Sequence, residues 1–416
     1  MYKNTVFILL IWGLFACSNR DRDNIFDPQN DKKTIDVGFS ATSFDSLIFL
    51  SWNSPANIIY KNINIYRKTA EQNDFELLHV VNKDSSFYKD YDVKFDEQHS
   101  YYLTINGETE ESYPTKPISI TPGPGSIWIL DRYLWEISKL SYDLSSVSIR
   151  KAGAWRPENM AFGDRIGLIT YPTYRYLEIF NLNNGNIIDG NINLKSPFDA
   201  TFDPQHGLFW VVDSSGSLVT IDTVQADEKL VYQNFSKPVQ IDYLENKLYI
   251  LDKGFNAIYI FNTSPLLSDS IYTTDKNKSF ENLKLFRLDK KNKKCYILDG
   301  ITGNNILYRF NLSNGKIEPV YQDSLIYTFD VNRDNETIWI VSANKVNSSL
   351  MQLSYSGERL HIIDGLIRPT DMKVSPYNGN IVVADFYGQK VYHYRPDLSL
   401  VGIYNTIGDP SKVYIE

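Results

Sequence analysis

The chain has 416 residues but only two cysteines, four methionines and five histidines. With Cys17 and Cys295 alone, the fold does not rest on a disulfide framework. Basic residues are also in deficit: 42 Lys and Arg stand against 50 Asp and Glu, a formal charge of −8. A protein that grips a phosphate backbone carries a basic surplus, so no nucleic-acid partner is expected. The short run "DKKNKK" at 289–294 reads as a solvated hairpin loop. Gly-x-Ser-x-Gly, His-Glu-x-x-His and a phosphate loop are all missing. The one strongly apolar run, Val6 to Trp12, is shorter than the ~20 residues a membrane-spanning helix needs.

Aromatic residues are plentiful, with 29 Tyr and 22 Phe, interleaved with Asn, Asp and Gly turn residues. That composition predicts an all-β protein, and the length allows two or three domains. Residues 1–16 have the three parts of an export signal: Lys3 as a positive start, the apolar run, and a small-residue end from Gly13 to Ala16. "LFAC" at 14–17 resembles the bacterial lipobox, although Phe15 is bulkier than usual there. The resemblance implies cleavage before Cys17, lipidation of Cys17 and anchoring in the cell envelope. By resemblance to Gram-negative lipoprotein sorting, Ser18 rather than Asp after that cysteine implies the outer membrane, with the side left open, and "NIFDP" resembles a lipoprotein leader element. Residues 17–34 are polar, charged and aperiodic, as a flexible tether would be.

Residues 35–121 alternate in short strands. Ile48, Leu50 and Trp52 share one face, as do Tyr101, Leu103 and Ile105. Trp52 followed by "NSP", the "YKDYDV" segment at 88–93, Tyr101 and "GETEESYP" together resemble a fibronectin type III domain. The resemblance implies a small β-sandwich acting as spacer or adhesive module. It makes Trp52 a core residue and Tyr101 a tyrosine corner bonded to the backbone.

From residue 125 to 416 the chain repeats. "LFWVVDSSGSLVTIDT", "LYILDKGFNAIYIFNT" and "IVVADFYGQKVYHYRPD" are three of seven units, each an apolar strand, a polar turn and a second strand. The strand-end positions read as Asp131, Thr170, Asp213, Asp252, Asp299, Ser342 and Asp385, spaced 39 to 47 residues apart. A leading and an outer strand flank the units, which gives four strands per repeat and a β-propeller. The first unit lacks its leading strand, and "PSKVYIE" at 410–416 is a leading strand with no unit after it. A ring of seven blades closed by that strand satisfies both; six or eight blades require an irregular unit. "PTDMKVSPYNGNIVVADFYGQKVYHY" resembles the NHL and YVTN-type propeller repeats.

The recurring Asp residues suggest either a cation ring or turn caps, and repetition at equivalent places favours caps. Gluconolactonase-type and lyase propellers bind metal through Glu, Asn, Asp or His, but no such set aligns here. His206, His361 and His393 fall in a hairpin, an outer strand and a third strand. No cofactor is expected, and whether the chain is an enzyme stays open. The loops after the second and fourth strands carry Arg132, Trp155, Arg156, Tyr171, Tyr174, Lys237, Phe255, Arg368, Phe386 and Tyr387. Aromatic and Arg side chains are the usual anchors of recognition surfaces. The expectation is a lipid-anchored propeller that binds a protein, peptide or glycan at the envelope. A metal-dependent propeller hydrolase or lyase is the alternative, and a purely structural envelope component a third reading.

Overall fold

A strand with alternating apolar residues needs one buried face; a strand that is apolar throughout needs two. Both kinds occur in the computed structural model, which describes residues 24–27, 33–44, 47–55, 58–153, 156–223, 228–263, 266–272, 274–275, 278–343, 348–406 and 408–416. Cys17, the segment 1–16, most of the stretch 17–34 and Trp155 lie outside the described residues. The chain divides into two compact units, Met1–Gly123 and Pro124–Glu416, and every regular element described is a β-strand.

The first unit holds the alternating strands. Ser40–Phe44, Leu47–Ser51 and Phe87–Asp90 form one antiparallel sheet. Glu76–Asn82, Asn62–Thr69, His99–Asn106 and Ile118–Ile120, in that order, form the other. Ile48, Leu50 and Trp52 from the first meet Ile63, Ile65, Tyr101, Leu103 and Ile105 from the second in one core. Trp52 keeps its indole satisfied by donating to Ser85 O (3.0 Å). Tyr101 departs from the expected corner: its hydroxyl donates to the buried Asp90 Oδ2 (2.8 Å), not to backbone. Arg67 brings the counter-charge, lying 2.9 Å from Asp90 and 3.1 Å from Asp92. A carboxylate backed by Arg67 is a stronger acceptor than a peptide carbonyl, so it captures the phenol.

The second unit holds seven four-stranded antiparallel sheets, the blades of a propeller. The strands nearest the axis are Pro410–Ile415 in blade one, then Asn159–Phe162, Pro197–Asp203, Pro238–Leu244, Leu283–Asp289, Ile326–Asn332 and Pro369–Val374 in blades two to seven. Each second strand is buried almost throughout, as in Ile127–Asp131, Thr337–Ala343 and Ile381–Asp385, because a neighbouring blade covers each of its faces. Exposure rises towards the rim, where Glu228–Gln233 and Arg359–Leu366 are mostly in solvent. Such rim edges invite pairing with other chains. All seven outer strands carry a register shift against their inner neighbour, which spoils the edge as a template.

Blade two corrects the repeat alignment. Tyr171, not Thr170, ends its second strand and pairs with Tyr176 across the turn, as Asp131 pairs with Glu136. Blade one is completed from the far end of the chain. Val413 pairs with Ile129 and is fully buried, Trp128 Nε1 donates to Glu416 Oε2 (2.7 Å), and Lys139 lies 2.8 Å from the same carboxylate. Truncation after Gly408 removes this strand and bares the Ile127–Asp131 edge. Urea denaturation should record a loss of about 4 kcal/mol or more; an unchanged midpoint would show that the ring does not need its closing strand.

Candidate functional site

The recurrent strand-end carboxylates are bound to backbone. Asp252 Oδ2 accepts from Ser236 N (2.7 Å), and Oδ1 accepts from Lys237 N and Gly254 N (both 2.8 Å). Asp385 does the same with Ile367 N, Arg368 N and Gly388 N. Asp213 holds Ser196 and Ser215, Asp299 holds Glu281 and Asn282, and Asp131 holds Tyr133, Leu134 and Asp409. Each therefore ties the loop entering a blade to that blade's second strand, and four of the five also hold the following turn. All five are buried. Among the described residues no group of three or more His, Cys, Asp or Glu side chains is placed to hold a metal ion.

The channel has a second set of polar residues. In six blades the innermost strand shifts register between its first and third residues, as between Pro197 and Asp199 or Pro369 and Asp371. The extra residue lets two consecutive side chains face the lumen, such as Phe198 with Asp199 and Lys284 with Leu285. The resulting cavity is about 560 Å³. Its polar residues reach from one blade to the next. Tyr414 OH accepts from Met160 N (2.9 Å), Asp199 from Ile241 N (3.0 Å), Gln240 from Phe286 N (3.0 Å), Asp330 from Val374 N (2.9 Å) and Asp371 from Val413 N (3.2 Å). Asn159 donates to Phe198 O (2.9 Å). Only from blade five to blade six does this pattern lapse among the described residues, where Leu285 occupies the position.

These groups sit deep enough to shift their protonation. Loss of solvation pushes Asp199 up to about 7, although the Ile241 amide and Lys412 oppose it. Asp371 is also desolvated, but Lys373, Lys412, Arg287 and the Val413 amide outweigh that and hold it below the usual carboxylate range. Burial and then Arg287 push Lys373 down, against Asp371 and Asp330. A raised carboxyl favours the folded state while protonated. Its contribution is thus lost as pH rises from about 4 to about 7. Asp199→Asn keeps an acceptor for Ile241 N without the charge. Urea titrations should show the variant gaining on wild type across that window, by on the order of 3 kcal/mol above it; a pH-independent difference would show that Asp199 does not titrate there.

The sequence-predicted loop residues divide into several groups. Tyr171 is fully buried, packed with Trp128 and Phe180 and stacked on Tyr176 (4.8 Å), so it serves the core and not the face. Arg132 is ion-paired with Glu158. Lys237 is exposed while its amide is held by Asp252, and Phe255 is exposed on blade four. Trp155 is outside the described residues. Arg156, Tyr174 and Tyr387 are exposed, and Arg368 lies over the Tyr387 ring (4.8 Å to its centre), with Phe386 edge-on to it (5.2 Å). Sequence reasoning missed Tyr133, Trp135 and Ile367, all exposed on the same loops. Apart from Lys237 and Phe255 on blade four, the exposed residues belong to blades seven, one and two, which are consecutive through the ring closure.

Backbone geometry marks one of them. The residue before the third strand has positive φ in blades one to five and seven: Trp135 (55°), Arg175 (63°), Gly216 (112°), Asn256 (53°), Gly303 (94°) and Gln389 (53°). Asn suits that conformation, whereas a bulky side chain there costs about 1–2 kcal/mol. Trp135 stays there with over two-fifths of its surface in solvent (43%). Sequence reasoning also missed the lumen lysines, Lys253, Lys284, Lys373 and Lys412. For Lys284 and Lys412 the signal available was a polar residue two or three places into the leading strand, where the period-two pattern breaks; Lys253 follows the second strand of blade four and carries no such mark.

No family profile and no curated relative matches the chain. Solved structures do. Hydrazine synthase of Kuenenia stuttgartiensis is 14% identical, with a TM-score of 0.51 over 62% of this chain and 92% of that one. Dihydro-heme d1 dehydrogenase NirN in complex with DHE is 10% identical, with a TM-score of 0.52 over 70% and 75%. The RRP9 WD40 repeats are 9% identical, with a TM-score of 0.50 over 63% and 84%. At such identities the likeness is one of fold: what this chain shares with them is the β-propeller.

Proposed function

We propose that this is an envelope lipoprotein whose propeller is a non-catalytic binding module for a protein, peptide or glycan. The single observation that carries the reading is the run of exposed aromatic and Arg side chains on the loops of blades seven, one and two. Large rigid side chains lose little entropy on binding and bury much area, so they make effective anchors. Keeping large side chains in water, and Trp135 at positive φ, is a cost of the kind that recognition surfaces carry. The channel carboxylates offer less to an enzyme reading, since backbone amides or lysines already engage them.

The first unit fits a fibronectin III-like spacer, supported by its three-plus-four strand order and by the buried Trp52 and Tyr101. The propeller repeats fit the NHL and YVTN type by the motif at 369–394. A lipid on Cys17 and a tether through residue 34 would hold both units at the outer membrane.

Two measurements test the reading. The full chain and its Arg156→Ala/Arg368→Ala variant are compared for retained ligands on envelope extracts and glycan arrays. The variant should melt like wild type and weaken capture by about tenfold or more; if it retains every ligand, the face is misassigned. Cys17→Ala should release the chain from membranes or leave its precursor uncleaved, and unchanged incorporation of labelled lipid would sink the anchor.

A further inference from the structure

We infer that the loop-side mouth of the channel, between Lys253 of blade four, Lys284 of blade five and Lys412 of blade one, binds a small multivalent anion bearing carboxylate or phosphate groups. The inference does not depend on the aromatic surface: one site suits a large ligand, the other a compact charged one. All three lysines line the same cavity of about 560 Å³, a size suited to a small metabolite.

The charge balance there runs against the rest of the molecule. The chain as a whole carries −8, yet Lys237, Lys284 and Lys412 all lie close enough to Lys253 to repel it. The acids nearby are committed. Glu158 is paired with Arg132, and Asp371 has Lys373 (3.9 Å) and Arg287 (3.6 Å) beside it. Asp199 spends its oxygen on Ile241 N and holds a proton up to about 7. Among the described residues neither the Lys253 nor the Lys412 ammonium has a hydrogen-bond or ion-pair partner, and that of Lys284 has only the Asn305 amide oxygen. The opposing charges, Glu158 for Lys253, Asp299 for Lys284 and Asp371 for Lys412, act without a direct hydrogen bond, and a bound anion would give the three ammonium groups direct partners.

A second, independent feature points into the same space. Thr328 lines the cavity and is almost fully buried (1%), and its hydroxyl has no hydrogen-bond partner among the described residues. It stands on blade six beside the junction where Leu285 breaks the blade-to-blade pattern. A neutral donor at that point can complete the shell of an anion already held by lysines.

The pocket also predicts a proton signature. Loss of solvation, then Lys237, Lys412 and Lys284, push Lys253 below its ordinary value, with Glu158 the opposing charge. A bound anion reverses this, so binding at alkaline pH should take up a proton.

The test is isothermal titration of the full chain with citrate and, separately, with inorganic pyrophosphate, in about 0.15 M NaCl. Saturable one-to-one binding of either supports the site, and the tighter of the two names the source of the charge. At alkaline pH the heat should vary with buffer ionisation enthalpy. Lys253→Met and Lys412→Met should each weaken binding by about tenfold or more, while Lys253→Arg keeps it and Lys316→Met, at the rim of blade five beside Glu318 and away from the channel, changes nothing. Without anion, Lys253→Met should melt no lower than wild type, since it relieves repulsion. No binding of either anion overturns the inference, as does equal binding by the Met variants.

Discussion

Every blade presents its innermost strand edge-on to the channel, and the N–H groups on that edge have no strand to pair with. Left bare in a narrow lumen they would cost several times what a hydrogen bond returns. The ring meets this constraint by having one blade's side chain bond the next blade's backbone: Tyr414 to Met160, Asp199 to Ile241, Gln240 to Phe286, Asp330 to Val374, Asp371 to Val413. The polarity of the channel is thus a requirement of the architecture. It explains why acids there need not imply chemistry, and why one lapse in the pattern stands out.

The strand-end Asp residues answer the same kind of constraint on the loop side. A single buried carboxylate can accept from two or three amides at once. Asp252 and Asp385 therefore fix both the loop entering their blade and the turn after its second strand. With the backbone of that face pinned, turn side chains are free to vary, and blades one, two and seven have filled them with Tyr, Trp, Phe and Arg.

Much of the fold could be read directly from the residues, because a strand buried on both faces has to be apolar throughout. "IWIL", "LFWVV" and "IVVA" announce themselves, and the orphan "PSKVYIE" called for a partner 280-odd residues away, which it finds. Blade two was displaced by one residue because Tyr171 fills the place of Asp, so no carboxylate marks the end of its strand. The Tyr101 bond went astray because nothing local in sequence ties it to Asp90 and Arg67. The lumen lysines were hidden for a different reason. A bulge breaks the alternation that sequence reading depends on, and only the ring brings Lys253, Lys284 and Lys412 to one cavity.

The closing strand also has a kinetic side. Six blades are built from neighbouring hairpins, whereas blade one waits for segments about as far apart as the propeller is long. Contacts of that separation form late and are natural places for a ring to reopen. Blades seven, one and two flank this seam, and they carry Tyr387, Arg368, Tyr133, Trp135 and Arg156. A ligand seated across them would act as a staple, adding its binding free energy to that of closure. Occupancy and mechanical integrity of the ring would then be a single thermodynamic quantity, read out as slower opening.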